Sequence, residues 1–210
     1  PAPVTAPRRK RAGRRRAAVS RDQLQEAGYI VPDGPVTGLA EEFRIIRRQL
    51  LLGAPGEGST AADKRRLILA CSANPDEGKT FCAINLALSL AGEKDVEVLL
   101  VDGDFVKPEI LSTLGIEGGA GLIDAICDPA ADPNDYVIET DVEGLPVLPA
   151  GRHGNGVTEL LASSRTKDVF AALIANYPNR IIILDSPPAL MASPASVLAT
   201  HVGQVMMVVR

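Results

Sequence analysis

The 210 residues contain no tryptophan, only two histidines and three cysteines, and aromatic side chains make up 3% of the chain. Each scarcity removes a class of function. Surfaces that hold single-stranded nucleic acid rely on stacked aromatic platforms, so no nucleic-acid partner is expected. Cys71, Cys82 and Cys127 are odd in number and form no Cys-x-x-Cys pair. Cys71 and Cys82 lie inside apolar stretches and read as core thiols of a reducing compartment, not as disulfide partners or zinc ligands. His153 and His201 are too few to build a metal cluster. No run approaches the ~20 uninterrupted apolar residues of a membrane span, and no apolar segment follows the basic N-terminus, which excludes a secretory signal.

Acidic residues are also missing from the first 21 positions, where eight basic ones stand: Arg8, Arg9, Lys10, Arg11, Arg14, Arg15, Arg16 and Arg21. The remainder carries 14 basic against 26 acidic residues. A Pro/Ala/Arg-rich arm cannot bury enough apolar surface to fold alone. It reads either as a solvated tail or as a contact for anionic lipid or an acidic partner.

What is present is a pattern. An apolar run, Arg66-Leu-Ile-Leu-Ala-Cys71, leads into Ala73-Asn-Pro-Asp-Glu-Gly-Lys-Thr80, and an apolar helix follows. This order, strand then Gly-Lys-Thr then helix, is that of a phosphate-binding loop. Backbone amides of Asn74, Pro75, Asp76, Glu77, Gly78, Lys79 and Thr80, proline excepted, with the helix N-terminus behind them, form a positive nest for phosphate oxygens. Lys79 would reach the β- and γ-phosphates and the Thr80 hydroxyl would ligate Mg²⁺, so ATP and Mg²⁺ are the expected cofactors. Ala73 stands where the usual pattern has its first glycine. The competing reading is an ordinary strand-to-helix turn capped by Asp76.

Along the chain, residues 1–20 are the expected disordered arm and 21–63 a helical extension with a linker, in which 38–52 forms a helix presenting Leu39, Phe43, Ile46 and Leu50 on one face. Residues 53–63 are polar and glycine-rich, as a linker is. Residues 64–210 alternate: strands at 66–72, 96–102, 145–149, 180–185 and 204–209, helices at 80–91, 121–127, 157–176 and 194–200. The fold class is α/β, P-loop NTPase-like, with a mostly parallel sheet and helices on both faces. Ligands of such sheets sit at the carboxyl ends of the strands.

Two further strand ends carry carboxylates. Val98-Leu-Leu-Val101 runs into Asp102-Gly-Asp104, and Ile181-Ile-Ile-Leu184 into Asp185-Ser-Pro-Pro188. An Asp at the end of an apolar strand downstream of a phosphate loop is placed to hold Mg²⁺ or its waters. Asp102 and Asp104, two apart, would point the same way if both were in the strand.

These three motifs, in this order, resemble the bacterial tyrosine kinases (BY-kinases) of capsule and exopolysaccharide export. Lys107-Pro108 follows the double-Asp motif as in that family. Leu148-Pro-Ala-Gly151 with Asn155 and Glu159-Leu-Leu161 is similar to its Pro-x-Gly…Asn-Pro-x-Glu-Leu-Leu segment. Glu41-x-x-Arg44-x-x-Arg47 resembles its oligomerisation motif, and the wording from Asp185 to Val205 is nearest to the exosortase-associated exopolysaccharide autokinases. Val106 stands where many members have arginine, and Gly156 replaces the proline after Asn155. The family's C-terminal helix and tyrosine-rich tail have no counterpart in these residues, whose tyrosines are Tyr29, Tyr136 and Tyr177.

The resemblance implies an ATP-dependent protein-tyrosine autokinase. In it Lys79 neutralises phosphate charge, Thr80, Asp104 and Asp185 serve the metal, and Asp102 orients the acceptor hydroxyl and takes its proton. It also implies a ring-like homo-oligomer of eight subunits through Glu41, Arg44 and Arg47, tyrosine-containing protein substrates, and a cytoplasmic location tied to the inner membrane by a polysaccharide co-polymerase adaptor. Two other readings stay open. One is a partition-type ATPase switch, against which stands Asn74 where those proteins carry a second lysine. The other is a nucleotide-gated scaffold of the export machinery without kinase turnover.

Overall fold

The computed structural model describes residues 15–52, 64–152 and 156–210. The expected linker and the greater part of the expected arm therefore lie outside the described residues. Five parallel strands form the central sheet: β2 (Leu67–Ser72), β3 (Glu97–Asp102), β5 (Val147–Leu148), β6 (Arg180–Asp185) and β7 (Gln204–Val208), in the order β5-β3-β6-β2-β7. The three inner strands are apolar almost throughout, because a parallel sheet with helices on both faces is buried on both.

Alternate residues of each inner strand feed two separate cores. Leu67, Leu69, Leu99, Val101, Ile182 and Leu184 pack on one face with α5 (Leu122–Cys127), α6 (Val157–Leu161), α7 (Ser164–Ala175) and α8 (Ser193–Ala199). Ile68, Ala70, Val98, Leu100, Ile181 and Ile183 pack on the other with α1 (Arg21–Glu26), α2 (Gly38–Leu52), α3 (Lys79–Ala91) and α4 (Ile110–Leu114). Leu39, Phe43, Ile46 and Leu50 of α2 join this second core, as their spacing predicts.

Four expectations are corrected. The 157–176 helix is two helices, α6 and α7, because Ala162 and Ser163 break it, and the Thr166 and Ser163 hydroxyls both donate to the Leu160 carbonyl across the break. The arm does not run free to residue 20. Arg16–Ala17 forms a strand (β1) parallel to β4 (Glu139–Thr140). Arg15 donates to the carbonyls of Glu117 and Gly118, both at 2.9 Å, and Asp141 accepts from the Val19 amide at 2.8 Å and from Arg21 at 2.5 Å. Those bonds hold the Asp141 pKa below the ordinary carboxylate value, the Val19 amide first. Cys71 is buried, but Cys82 is only half-buried and Cys127 is exposed. The fourth correction concerns Asp104: β3 ends at Asp102, so the two carboxylates are not successive members of one strand face.

At the opposite end of the sheet from the phosphate loop, Arg180 is 1% exposed and held by several acceptors. Its Nε donates to Glu97 at 2.6 Å and Nη1 to the Leu173 carbonyl at 2.8 Å and to Asn134 at 3.2 Å, while the guanidinium lies over the Tyr177 ring. The Glu97 side chain is 35% exposed, so water screens part of the pair, but its removal leaves the buried Arg180 charge with neutral acceptors only. Glu97→Ala is expected to lower the unfolding free energy by about 2 kcal/mol, read from the midpoint of a urea titration. A loss below the error of the midpoint would show that Arg180 finds compensation elsewhere.

Candidate functional site

Sheet register brings the acidic residues together. β3 and β6 are adjacent and parallel, with Asp102 opposite Asp185, and both lie in line with the residues that face α3. On the other side of β6, Asp185 stands opposite Ala70 of β2, whose strand continues into the phosphate loop. Gly103 follows so closely on this pairing that its amide donates to the Asp185 carbonyl at 2.8 Å and a Cβ on it would lie 2.6 Å from that oxygen. A role for Gly103 is not legible in the sequence, because the close approach comes from the neighbouring strand.

The loop between β2 and α3 is held open by its own side chains. Glu77 accepts from the Asn74 amide at 2.9 Å and from its side-chain nitrogen at 3.1 Å, and the Ser72 hydroxyl donates to the Asn74 carbonyl at 2.8 Å. The amide bond from Asn74 is the main reason that the Glu77 pKa is lowered. Asp76 and Gly78 adopt left-handed backbone angles, φ 59° and 96°, a conformation that glycine takes without cost and Asp tolerates. Gly78 occupies the N-cap of α3 and no side chain caps that end. The alternative of a plain turn capped by Asp76 is thereby overturned. First-turn amides have no partner within the helix and carry the positive end of its dipole.

Lys79 sits between the loop and the carboxylates. Its Nζ lies 2.9 Å from Asp104 Oδ2 and 3.3 Å from Thr80 Oγ1. Burial works against its charge, but the Asp185 and Asp104 carboxylates more than offset this, and its pKa is raised. Asp104 also accepts from the Val106 and Lys107 amides, at 3.1 and 3.0 Å, so it ties Lys79 to the turn after β3. The Thr80 hydroxyl donates to Asp185 Oδ2 at 2.6 Å. Asp102 accepts from the amides of Asp104 and Ile110 at 3.2 and 3.3 Å.

Burial, first of all, pushes the Asp102 carboxyl up to about 7, and the neighbouring Asp185 adds to it. Asp185 is likewise raised to about 7 by burial, although Lys79 and the Thr80 bond pull it down. Its Oδ1 is buried with no hydrogen-bond partner. An orphaned carboxylate oxygen beside a Thr hydroxyl fits a Mg²⁺ that takes one or two protein oxygens and completes its shell with water and phosphate. Among the described residues no three His, Cys, Asp or Glu side chains form a metal-binding group by themselves. Asp104, by contrast, has its oxygens taken by Lys79 and two amides.

The remaining residues singled out in the sequence lie elsewhere. Arg44 pairs with Glu41 at 2.9 Å on the exposed side of α2. Arg47 turns inward, donating to the Ser89 carbonyl at 2.5 Å and pairing with Glu93, so it clamps α2 to α3 and does not share the face of Arg44. Glu159, Leu160 and Leu161 fall on α6, and Asn155 lies outside the described residues.

A P-loop, a buried carboxylate with one free oxygen at the end of the neighbouring strand and a parallel sheet define a nucleotide-binding α/β domain of the P-loop NTPase class. No family model matches the chain. It is 30% identical over 179 residues to the putative tyrosine-protein kinase CapB of Staphylococcus aureus, covering 85% of this chain and 74% of CapB. With the putative tyrosine-protein kinase AmsA of Erwinia amylovora it shares 32% identity over 70% of this chain but spans only 20% of that protein. The BceF tyrosine kinase domain superimposes with a TM-score of 0.66 at 28% identity, over 80% of this chain and 63% of that domain. The chain belongs to the bacterial tyrosine-protein kinase family.

The raised pKa of Asp185 has a consequence for stability. An unfolded Asp ionises near 3.8, whereas the folded one resists ionisation up to about 7. Without divalent cation, stability therefore falls as pH rises from about 4 to 7 and levels off above that. Asp185→Asn keeps an acceptor for Thr80 and removes the penalty. It is expected to raise the cation-free Tm by several degrees at pH 8 and to leave it unchanged at pH 4. An equal effect at both pH values would rule out the charge as its cause.

Proposed function

We propose that the chain is the catalytic domain of an ATP-dependent protein-tyrosine kinase that regulates polymerisation and export of capsule or exopolysaccharide. The observation that carries the reading is the junction of Lys79, Thr80 and Asp185 beneath an uncapped helix N-terminus, within a chain of this family. The loop from Asn74 to Thr80 wraps the ATP phosphates. Lys79 exchanges its Asp104 partner for the β- and γ-phosphates, where its positive charge offsets the negative charge that a loose transition state spreads over the phosphoryl oxygens. Thr80 and Asp185 would hold Mg²⁺, with Asp104 close by to serve its waters; the ion would supply neutralisation of charge on the phosphate oxygens.

Asp102 orients the acceptor tyrosine and takes its proton. An ordinary carboxylate is a weak base for a phenol of pKa ~10. Burial beside Asp185 narrows that gap and makes the proton transfer easier. Asp102 lies beneath the turn that Asp104 secures, so release of Lys79 from Asp104 on nucleotide binding also loosens the cover over the base.

The partners follow the resemblance. They are a ring-like homo-oligomer of eight subunits, an inner-membrane co-polymerase adaptor on the cytoplasmic side, and tyrosine-containing proteins as substrates. Among the described residues no helix is long and apolar enough to cross a membrane. The wording after Asp185 supports the exosortase-associated branch. Since Arg47 is engaged within its own subunit, Glu41 and Arg44 are left as the interface pair.

With Mg-ATP and a tyrosine-bearing acceptor, Lys79→Met is expected to abolish phosphotyrosine. Asp102→Asn is expected to slow transfer by 10²-fold or more while sparing nucleotide affinity. Phosphate release without phosphotyrosine would instead identify a partition-type switch, and binding without turnover a scaffold. Arg44→Ala is expected to lower the mass measured by light scattering, whereas Arg47→Ala is expected to lower Tm first. An unchanged mass for Arg44→Ala at high concentration refutes the interface.

A further inference from the structure

Three tyrosines are available in this chain, and they are held differently. Tyr177 lies under the Arg180 guanidinium, 3.3 Å from its ring centroid, just before β6 begins and thus at the end of the sheet opposite Asp185. Tyr136 closes a 3₁₀ turn (Pro133–Tyr136) and packs against the core formed with α5 and α7. Tyr29 is different. It follows α1 directly, and its ring lies against Phe81, with centroids 4.8 Å apart. Phe81 is the residue after Thr80 in the first turn of α3.

The segment is fastened there from both sides. The Tyr29 amide donates to the Leu24 carbonyl, and the Ile30 amide donates to the buried side chain of Asn85, whose nitrogen in turn donates to the Phe81 carbonyl. Thr113 lies on α4, the helix whose first residue, Ile110, donates its amide to Asp102. Tyr29 lines an open cavity of about 420 Å³ together with Gln23, Glu26, Ala27, Ser112 and Thr113. Tyr29 is half-buried. The charges of Glu109 and Asp185 reach its hydroxyl, both working against any further negative charge at that point.

We propose that Tyr29 is a phosphorylation site of this kinase and that its phosphate feeds back on the nucleotide site. The proposal rests on the kinase reading above. In the transfer, Tyr29 Oη bonds to the γ-phosphorus of ATP and the bond from that phosphorus to the β–γ bridging oxygen breaks. ADP departs with the bond electrons, and the phenolic proton passes to a carboxylate base and on to water. The product carries close to two negative charges at pH 7. These stand in the field of Glu109, the residue that caps α4, and of Asp185, where they repel an incoming polyphosphate. The modified chain therefore binds nucleotide more weakly, and labelling limits itself.

The test uses the full chain with Mg-ATP and a glutamate–tyrosine copolymer as external acceptor, followed by tryptic mapping. The three tyrosines fall in separate peptides, that of Tyr29 running from Asp22 to Arg44. Phosphate is expected on the Asp22–Arg44 peptide and absent in Lys79→Met. Tyr29→Phe, which keeps the ring on Phe81, is expected to lose that label and still phosphorylate the copolymer. Labelled protein is expected to bind a fluorescent ADP analogue at least about fivefold more weakly than the same protein after phosphatase treatment. A labelled copolymer with no label on the Asp22–Arg44 peptide overturns the proposal and leaves the kinase reading intact, as does equal ADP affinity of the two forms. No label on either acceptor overturns the kinase reading itself.

Discussion

Two carboxylates that face one another across adjacent strands, with one lysine between them and the phosphate loop, set the terms for the rest of the site. Asp102 and Asp185 are 1% and 0% exposed. Like charges directly opposite in a sheet repel, and burial adds to the cost of ionising either one. The fold meets this cost in several ways at once. Amides of Asp104 and Ile110 serve Asp102, the Thr80 hydroxyl serves one oxygen of Asp185, and Lys79 supplies the positive charge through Asp104. One oxygen of Asp185 remains unserved. The site is thus poised toward a cation and an anion together, which is what a metal-nucleotide complex supplies.

That arrangement explains why so many elements converge on it. α3 must begin at Lys79, because its first turn presents both the lysine and the threonine. α4 must begin at Ile110, because its first amide serves Asp102. The N-terminal segment then closes over α3 and α4. Ser20 donates its amide to the Leu114 carbonyl, Tyr29 packs its ring at a tilt against Phe81, and Arg47 ties α2 to the end of α3. The extension that precedes the phosphate loop in the chain is therefore part of the same core, not an appendage. Its contacts give it a route to the chemistry through α4.

Much of this was legible in the residues. Gly78-Lys79-Thr80 between an apolar strand and an apolar helix announces a phosphate loop because only glycine adopts the backbone there easily and only those side chains suit phosphate and Mg²⁺. The apolar inner strands announce a sheet buried on both faces. Asp at the ends of two such strands announces where a metal-phosphate complex would sit. α2 was readable for the same reason, since a helix packed on one side repeats its apolar residues at a spacing the sequence displays.

The tertiary structure alone decided the rest. Which strands are neighbours, and in what register, depends on crossovers many residues long, so the opposition of Asp102 to Asp185 cannot be found in local periodicity. The turn that takes Asp104 out of the strand and hands it to Lys79 arises because Gly103 meets the Asp185 carbonyl of the next strand. Arg47 and Arg44 have the same spacing logic, yet one is drawn inward by Ser89 of a different helix and by Glu93 in the turn that follows it. Arg15 and Arg16 look like the rest of a basic arm until the Glu117 and Gly118 carbonyls accept from Arg15 and β4 pairs with Arg16–Ala17. Sequence determined which groups the protein brings to nucleotide chemistry; long-range packing determined which of them meet, because contact between distant segments is fixed by the closed core and not by either segment alone.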